Sequence, residues 1–264
     1  MIVNARMYSV TPAAEEGWKR LLLEAVRRAG LKAEIFDYPA PARLEGLWAR
    51  SDLLAVFMCG WPFAQRRFPV RPVAVPVTED AAGEGIPGHY RTLFMVPKSS
   101  TAERLEETFG GRLAYTNPES HSGYNAVRYH LSAYRSESRK TLYRTLVGPL
   151  VTPRRVLETL AAGEADVGPL DSYAWSLLYR YEPELTRHVR ILARSAPAPM
   201  PLLVASDRVD PQTIMALLAL NTEQDATLLR PLGLRGFIAP SADAWQVLCD
   251  REEIAFSRSY DMLR

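Results

Sequence analysis

Residues 117–125, NPESHSGYN, place two hydroxyls, an imidazole and a glycine side by side where a predicted helix begins. They follow a predicted strand, at whose carboxyl end a helix N-terminus offers unpaired N–H groups and the positive end of a dipole. Ser120 and Ser122 can each donate a hydroxyl proton to an oxyanion, and His121 supplies a switchable donor. Gly123 lets the backbone approach closely. The same spacing fits a plain N-cap by Ser120 or Ser122, so residue chemistry leaves two roles open, an anion-binding site and a cap.

The elements around this segment alternate between strands and helices. Near the N-terminus, IVNARMYSV is typical of a strand, and Thr11 caps a helix that has Pro12 at its first position. The strand AEIFDYP, a short helix and the apolar run DLLAVFMCG follow. Such alternation predicts an α/β fold whose sheets are mixed and mainly parallel, with helices on both faces.

Cap signals predict further helices. Ser100 and Glu103 form a capping box ahead of ERLEETF, and Thr152 precedes a proline at the start of PRRVLETLAA. Asp210 caps a helix through TIMALLAL, and Ser241 caps a last helix, SADAWQVLCDREEIA.

Two crossings rich in glycine or proline, near residues 82–90 and 195–201, separate the middle of the chain from its ends. We therefore predict a discontinuous first lobe, residues 1–89 with 197–264, and a second lobe, residues 90–196. A two-strand hinge would join them, and hinges of this kind let two lobes close on a ligand in the cleft between them.

Composition excludes several classes of function. The 264 residues are 47% hydrophobic and carry a net charge of +2 without blocks of like sign, so we expect no nucleic-acid partner and no membrane insertion. Cys59 and Cys249 form no CxxC pattern, and no metal site or cofactor is predicted. The N-terminus has no signal-peptide pattern, so the sequence as it stands predicts a cytoplasmic protein; a periplasmic location is the alternative if a leader is missing.

Four stretches resemble, in order along the chain, the substrate-binding proteins of phosphonate, phosphate and phosphite ABC importers. They are LAVFMCGWPFA, NPESHSGYNAV, LETLAAGEADVGPLDSYAW and LGLRGFIAPSADAWQVL. The resemblance implies a two-lobe type 2 periplasmic-binding-protein-like fold, in which a Ser-Thr-Ser turn holds the oxyanion and aromatic residues line the cleft. The ligand-binding residues that it implies are Ser120, His121 and Ser122 for the oxyanion, Trp61 and Tyr90 as cleft walls, and Asp171 as an acceptor.

Three of these residues have a second interpretation. Trp61 and Tyr90 fit packing roles as well as cleft walls, and Asp171, at the end of the strand ADVGPL, fits a helix N-cap.

His121 stands where the family has threonine, so an imidazole able to become cationic replaces a hydroxyl. The second crossing, SAPAPMPLL, lacks the acidic residue expected in phosphonate binders, so phosphate or an organic acid fits at least as well as an aminoalkyl phosphonate.

Two classes of function follow from these observations. The first is a non-catalytic solute-binding protein that closes on phosphate, phosphite or a phosphonate-like oxyanion, as part of an ABC importer with its permease, or as a sensor. The second is a cytoplasmic enzyme on the same fold, of the menaquinone-pathway or thiamine-pyrimidine-pathway type, acting on a small organic acid or phosphate ester. Such an enzyme would need an acid or base in the closed cleft, and His121 with Asp171 is the pair that the sequence offers. No nucleophile elbow, HExxH or Walker A motif occurs.

Overall fold

The computed structural model describes residues 1–79, 86–209, 215–216, 218–220, 223–241 and 243–260. The predicted helix through TIMALLAL and most of the glycine-rich loop at the first crossing lie largely outside the described residues. The strands are β1 (Ile2–Asn4), β2 (Glu34–Ile35), β3 (Leu53–Met58), β4 (Val70–Thr78), β5 (His89–Tyr90), β6 (Thr92–Pro97), β7 (Arg112–Ala114), β8 (Thr145–Val147), β9 (Gly168–Asp171), β10 (Val189–Arg194), β11 (Ala198–Pro199), β12 (Leu202–Ser206) and β13 (Leu234–Ile238).

The helices alternate with these strands over much of the chain. They are α1 (Pro12–Arg28), α2 (Leu44–Trp48), α3 (Gly60–Ala64), α4 (Ala126–Ser132), α5 (Pro153–Ala161), α6 (Ser172–Tyr181), α7 (Pro183–Thr186), α8 (Ala226–Leu229) and α9 (Gln246–Ser257). None of the helices in the described ranges is long and apolar enough to cross a bilayer.

The chain divides into two compact units, which differ from the predicted lobes at the C-terminus. The first unit is Met1–His89 with Pro199–Trp245, and the second is Tyr90–Ala198 with Gln246–Arg264. The predicted first lobe included residues up to 264, whereas α9 belongs to the second unit. The physical reason is its contacts there: Asn125 Nδ2 donates to the Leu248 carbonyl at 3.1 Å, and Tyr260 is part of the second unit's core.

The first unit is built on one six-stranded sheet, in the order β13-β4-β12-β3-β1-β2. Helix α1 packs on it with the predicted cap: Thr11 Oγ1 accepts the N–H of Ala14 at 3.1 Å, and Pro12 follows the cap. The buried side chains recur at helical spacing: Ala14, Trp18, Leu21, Leu22, Ala25 and Val26.

The second unit contains a three-stranded sheet, β10-β6-β9, and the pair β7-β8. Phe94, Val96, Leu113 and Val127 are members of its core. The predicted helix ERLEETF is only a 3-10 turn, Leu105–Thr108, with no side-chain cap. The predicted helix after Thr152 is present as α5, and Thr152 Oγ1 accepts the N–H of Arg155.

Among the described strands the six-stranded sheet is mixed, as predicted, whereas the three-stranded sheet β10-β6-β9 is antiparallel throughout, and antiparallel pairing predominates overall. Strand β1 is parallel to β2 and β3, and β7 is parallel to β8. Strand β12 is antiparallel to both β3 and β4, and β6 is antiparallel to both β9 and β10. The prediction of mainly parallel sheets is therefore wrong, because β12, a strand that follows the second crossing, inserts between β3 and β4, which run in the same direction.

Candidate functional site

The segment 117–125 opens a continuous helical stretch in the second unit. Ser120 is extended, and its Oγ accepts the N–H of Gly123 at 3.0 Å, so it is the N-cap. The first turn, His121–Asn125, is a π-turn, and the N–H of Asn125 donates to the Ser120 carbonyl at 3.0 Å. Helix α4 continues from it. The cap role of Ser120 is thus part of the structure, and π-turns of this kind are frequent at functional sites.

Gly123 is required by the close approach of this turn to the end of the preceding strand. A β-carbon at position 123 would lie 1.8 Å from Thr116 Oγ1, which is closer than any real contact. Thr116 is only 7% exposed, and its hydroxyl has no hydrogen-bond partner among the described residues. A buried polar atom therefore lies at the base of the turn.

His121 is neutral in the folded protein. Its side chain is 1% exposed, and burial, with a smaller contribution from the positive charge of Arg251, lowers its pKa to about 3. The amide of Asn125 donates to the Leu248 carbonyl, which fixes its orientation, and the same Nδ2 lies 3.4 Å from His121 Nδ1. Because Nδ1 faces this donor, we assign the ring proton to Nε2. Of the two protonation states that the sequence left open, the neutral imidazole is therefore the one present near neutral pH, and donation by His121 to a ligand stays a prediction.

Tyr90 and Arg251 lie close to His121 in the same unit. Tyr90 is 2% exposed, and its ring centroid is 6.3 Å from that of His121. The guanidinium of Arg251, on α9, lies 5.4 Å from the ring centroid of Tyr129 and donates to the Pro197 carbonyl at 2.7 Å. Arg251 is not a candidate from the sequence alone, because CDREE is typical of a solvated helix face and the predicted first lobe includes this helix.

Asp171, the last residue of β9, is the N-cap of α6. Its Oδ1 accepts the N–H groups of Tyr173 at 2.8 Å and Ala174 at 3.0 Å. Across the β6-β9 pair it faces Thr92, whose hydroxyl donates to the Ser122 carbonyl at 3.1 Å. The cap interpretation of Asp171 is part of the structure, and its contact with a ligand stays a prediction.

Five of the six predicted residues lie in the second unit, and Trp61 does not. Trp61 lies in α3 of the first unit and is 7% exposed. A packing role accounts for this burial, and its role as a cleft wall stays a prediction.

One cavity of the second unit, of about 380 Å³, lies away from this turn, at the amino end of β7. Arg144 and Asp166 are among its lining residues. Asp166 accepts the N–H of Arg112, the first residue of β7, at 2.7 Å. No group of three metal-binding side chains occurs in the described part of the chain.

The chain matches a family model over most of its length. The model is that of the phosphonate-binding family, described as ABC transporter, phosphonate, periplasmic substrate-binding protein, and it covers residues 50–245. The matched range contains all six predicted site residues and excludes Arg251. No curated protein matches the sequence.

Solved structures of low sequence identity share the fold. A binding protein component of an ABC phosphonate transporter from Pseudomonas aeruginosa is 18% identical, over 98% of this chain and 87% of its own, with a TM-score of 0.78. PhnD1 from Prochlorococcus marinus, in complex with methylphosphonate, is 14% identical over 96% and 97%, with a TM-score of 0.80. The alkanesulfonate-binding protein SsuA from Xanthomonas axonopodis pv. citri, bound to MOPS, is 18% identical over 99% and 94%, with a TM-score of 0.58. The predicted two-lobe type 2 periplasmic-binding-protein fold is confirmed.

Proposed function

The chain belongs to the phosphonate-binding family of ABC-transporter periplasmic substrate-binding proteins, and on that premise we propose that the turn Ser120–Gly123 holds the head group of a small oxyanion. Proteins of this family are solute-binding components of transporters and not enzymes. The menaquinone-pathway and thiamine-pyrimidine-pathway alternatives gain no support from the family model or from the related structures.

The observation that carries the proposal is the construction of the turn. The helical stretch that begins at His121 directs its first N–H groups toward one end, Ser122 stands in its first turn, and Gly123 lies against the buried hydroxyl of Thr116. Hydroxyls and backbone N–H groups around one point suit the oxygens of a tetrahedral anion. His121 adds a neutral Nε2–H donor, which suits an anion without adding charge.

The ligand class is supported by the relatives. PhnD1 of Prochlorococcus marinus holds methylphosphonate, and SsuA of Xanthomonas axonopodis holds MOPS, a sulfonate. Both carry a tetrahedral oxyanion, so we propose phosphonates, phosphate, phosphite or sulfonates as ligands for this chain. Closure of the two lobes on the ligand and delivery to an ABC permease are parts of the same proposal. Because the family model describes periplasmic proteins, it favours the periplasmic alternative for the compartment.

A thermal-shift panel of methylphosphonate, phosphite, phosphate, sulfate and methanesulfonate tests this function. A ligand at 100 times its dissociation constant adds about 2.7 kcal/mol to the stability of the folded state. Ser122→Ala removes one hydroxyl from the turn and keeps the Ser120 cap, so we expect a smaller shift at equal ligand concentration. Ser99→Ala, at an exposed position of the same unit, is the matched control. A melting curve that none of the five anions moves would refute the oxyanion proposal.

A further inference from the structure

Arg251 carries a partly buried positive charge that no carboxylate neutralises among the described residues. Burial has the largest effect on the pKa of Arg251 and lowers it. The ionisable groups that act on this pKa are the hydroxyls of Tyr129 and Tyr90, which raise it. Its hydrogen bond goes to a backbone carbonyl, that of Pro197. A buried cation without a counter-charge is costly, and arginine keeps its charge at any physiological pH.

Several other arginines of the chain are paired with carboxylates. Arg28 pairs with Asp225, Arg112 with Asp166, and Arg154 with both Glu158 and Glu182. Arg128 is buried without a carboxylate partner in the described ranges, but it lies two turns inside the helical stretch. There its Nε donates to the Tyr260 carbonyl. Arg251 is therefore an arginine without a carboxylate partner in the described ranges that lies next to the predicted anion-binding site.

Contacts of α9 place Arg251 beside the predicted anion-binding site. Asn125 joins the two elements, because its Nδ2 donates to the Leu248 carbonyl and lies 3.4 Å from His121 Nδ1. Arg251 follows Leu248 by three residues and so lies on the same side of the helix. Its charge acts on both His121 and Tyr90, whose rings are themselves 6.3 Å apart.

We propose that Arg251 supplies the positive charge of the anion site and contacts the ligand's head group, so that the site selects ionised phosphonates or sulfonates by charge. This inference rests on the proposed function of the same site. Since His121 is neutral, the permanent positive charge in this proposal comes from Arg251. The buried hydroxyl of Thr116, which has no partner in the described structure, is a second polar group at the base of the same turn.

The competing explanation is that Arg251 only ties α9 to the Pro197 carbonyl. Two substitutions separate these roles. Arg251→Lys keeps the charge, and Arg251→Gln keeps an N–H donor for the carbonyl but removes the charge. Arg258→Gln, at an exposed residue just beyond α9, is the control for net charge.

Titration calorimetry of the full chain and the three variants with methylphosphonate and with methanesulfonate tests the proposal. Hydrogen bonds to charged groups are strong, so we expect Arg251→Gln to bind both probes roughly 10- to 100-fold more weakly than wild type. Arg251→Lys should recover part of that loss, and Arg258→Gln should bind like wild type. A purely structural tie predicts that Lys and Gln lower the melting temperature alike and leave affinity unchanged, and that result overturns the proposal.

The outcomes for the two proposals differ. If wild type binds neither probe, the proposed function fails and this inference falls with it. If wild type binds and Arg251→Gln binds equally well, only the inference fails. If Arg251→Gln does not fold, the NMR spectrum of wild type supplies the test. The Nε–H signal of Arg251 is identified as the one that is absent from the spectrum of Arg251→Lys. This signal must shift when wild type is titrated with methylphosphonate, and an unmoved signal overturns the inference.

Discussion

At the residue scale, His121 illustrates how burial changes the chemistry that a side chain offers. By residue type it is a group able to become cationic, because the pKa of histidine in an exposed peptide lies near 6.5. In the folded chain it is 1% exposed and its pKa falls to about 3. Its charged neighbour, Arg251, lowers the pKa further, and neither Tyr90 nor Asn125 supplies a negative charge at neutral pH. Any hydrogen bond that His121 donates to a ligand thus comes from the neutral ring.

A binding titration across pH tests this assignment. If His121 bound as a cation with an ordinary pKa, affinity would weaken as pH rises through about 6.5. With a pKa of about 3, its protonation change lies below the range of about pH 5.5 to 8 that brackets the reference value, so we expect flat affinity there. Methanesulfonate is the suitable probe, because it stays ionised throughout. A loss of affinity toward high pH that disappears in His121→Gln would contradict the neutral ring.

At the element scale, the turn can pack against the end of the strand before it because residue 123 is a glycine. Gly123 brings the backbone against Thr116, and a β-carbon there would meet both Oγ1 at 1.8 Å and Cβ at 2.9 Å. The turn must therefore shift if residue 123 gains a side chain.

We expect Gly123→Ala to destabilise the fold by about 1–3 kcal/mol, the usual cost of overpacking. Thr116→Ala removes the Oγ1 contact, so the double variant should recover part of that loss, and urea unfolding of the four proteins measures the coupling. Gly163→Ala controls for glycine substitution in open space, since no atom lies within 4 Å of a β-carbon at Gly163, where the cost is that of its positive φ alone. Additive effects of the Gly123 and Thr116 changes would show that the contact is not the cause.

What the sequence could predict at this scale was local. Thr11 and Thr152 cap helices as expected, because an N-cap is decided within three or four residues. The position of β12 between β3 and β4, and the packing of α9 on α4, depend on residues far apart in the chain. Arg251 could not be predicted for the same reason, because 130 residues of sequence separate it from His121. The five predicted site residues that lie in the second unit come from local motifs.

At the scale of the whole molecule, the chain passes between its two units three times, at 89/90, 198/199 and 245/246. The first two crossings fall in the short strands β5 and β11, where a two-strand connection was expected. The third was not expected. The C-terminal segment therefore completes the unit that carries the turn, and it brings Arg251 and Tyr260 to that unit.

This division predicts where a core substitution on α9 is felt. Leu248 is fully buried, so Leu248→Ala should cost about 2–5 kcal/mol. Hydrogen exchange can locate the loss, because regions open with different free energies. We expect protection to fall in β6 and α4 of the second unit and to persist in β3 and β12. Leu203→Ala, at an equally buried position of β12, should show the reverse. Loss of protection in β3 and β12 on Leu248→Ala would instead restore the sequence-based assignment of the last helix to the first lobe.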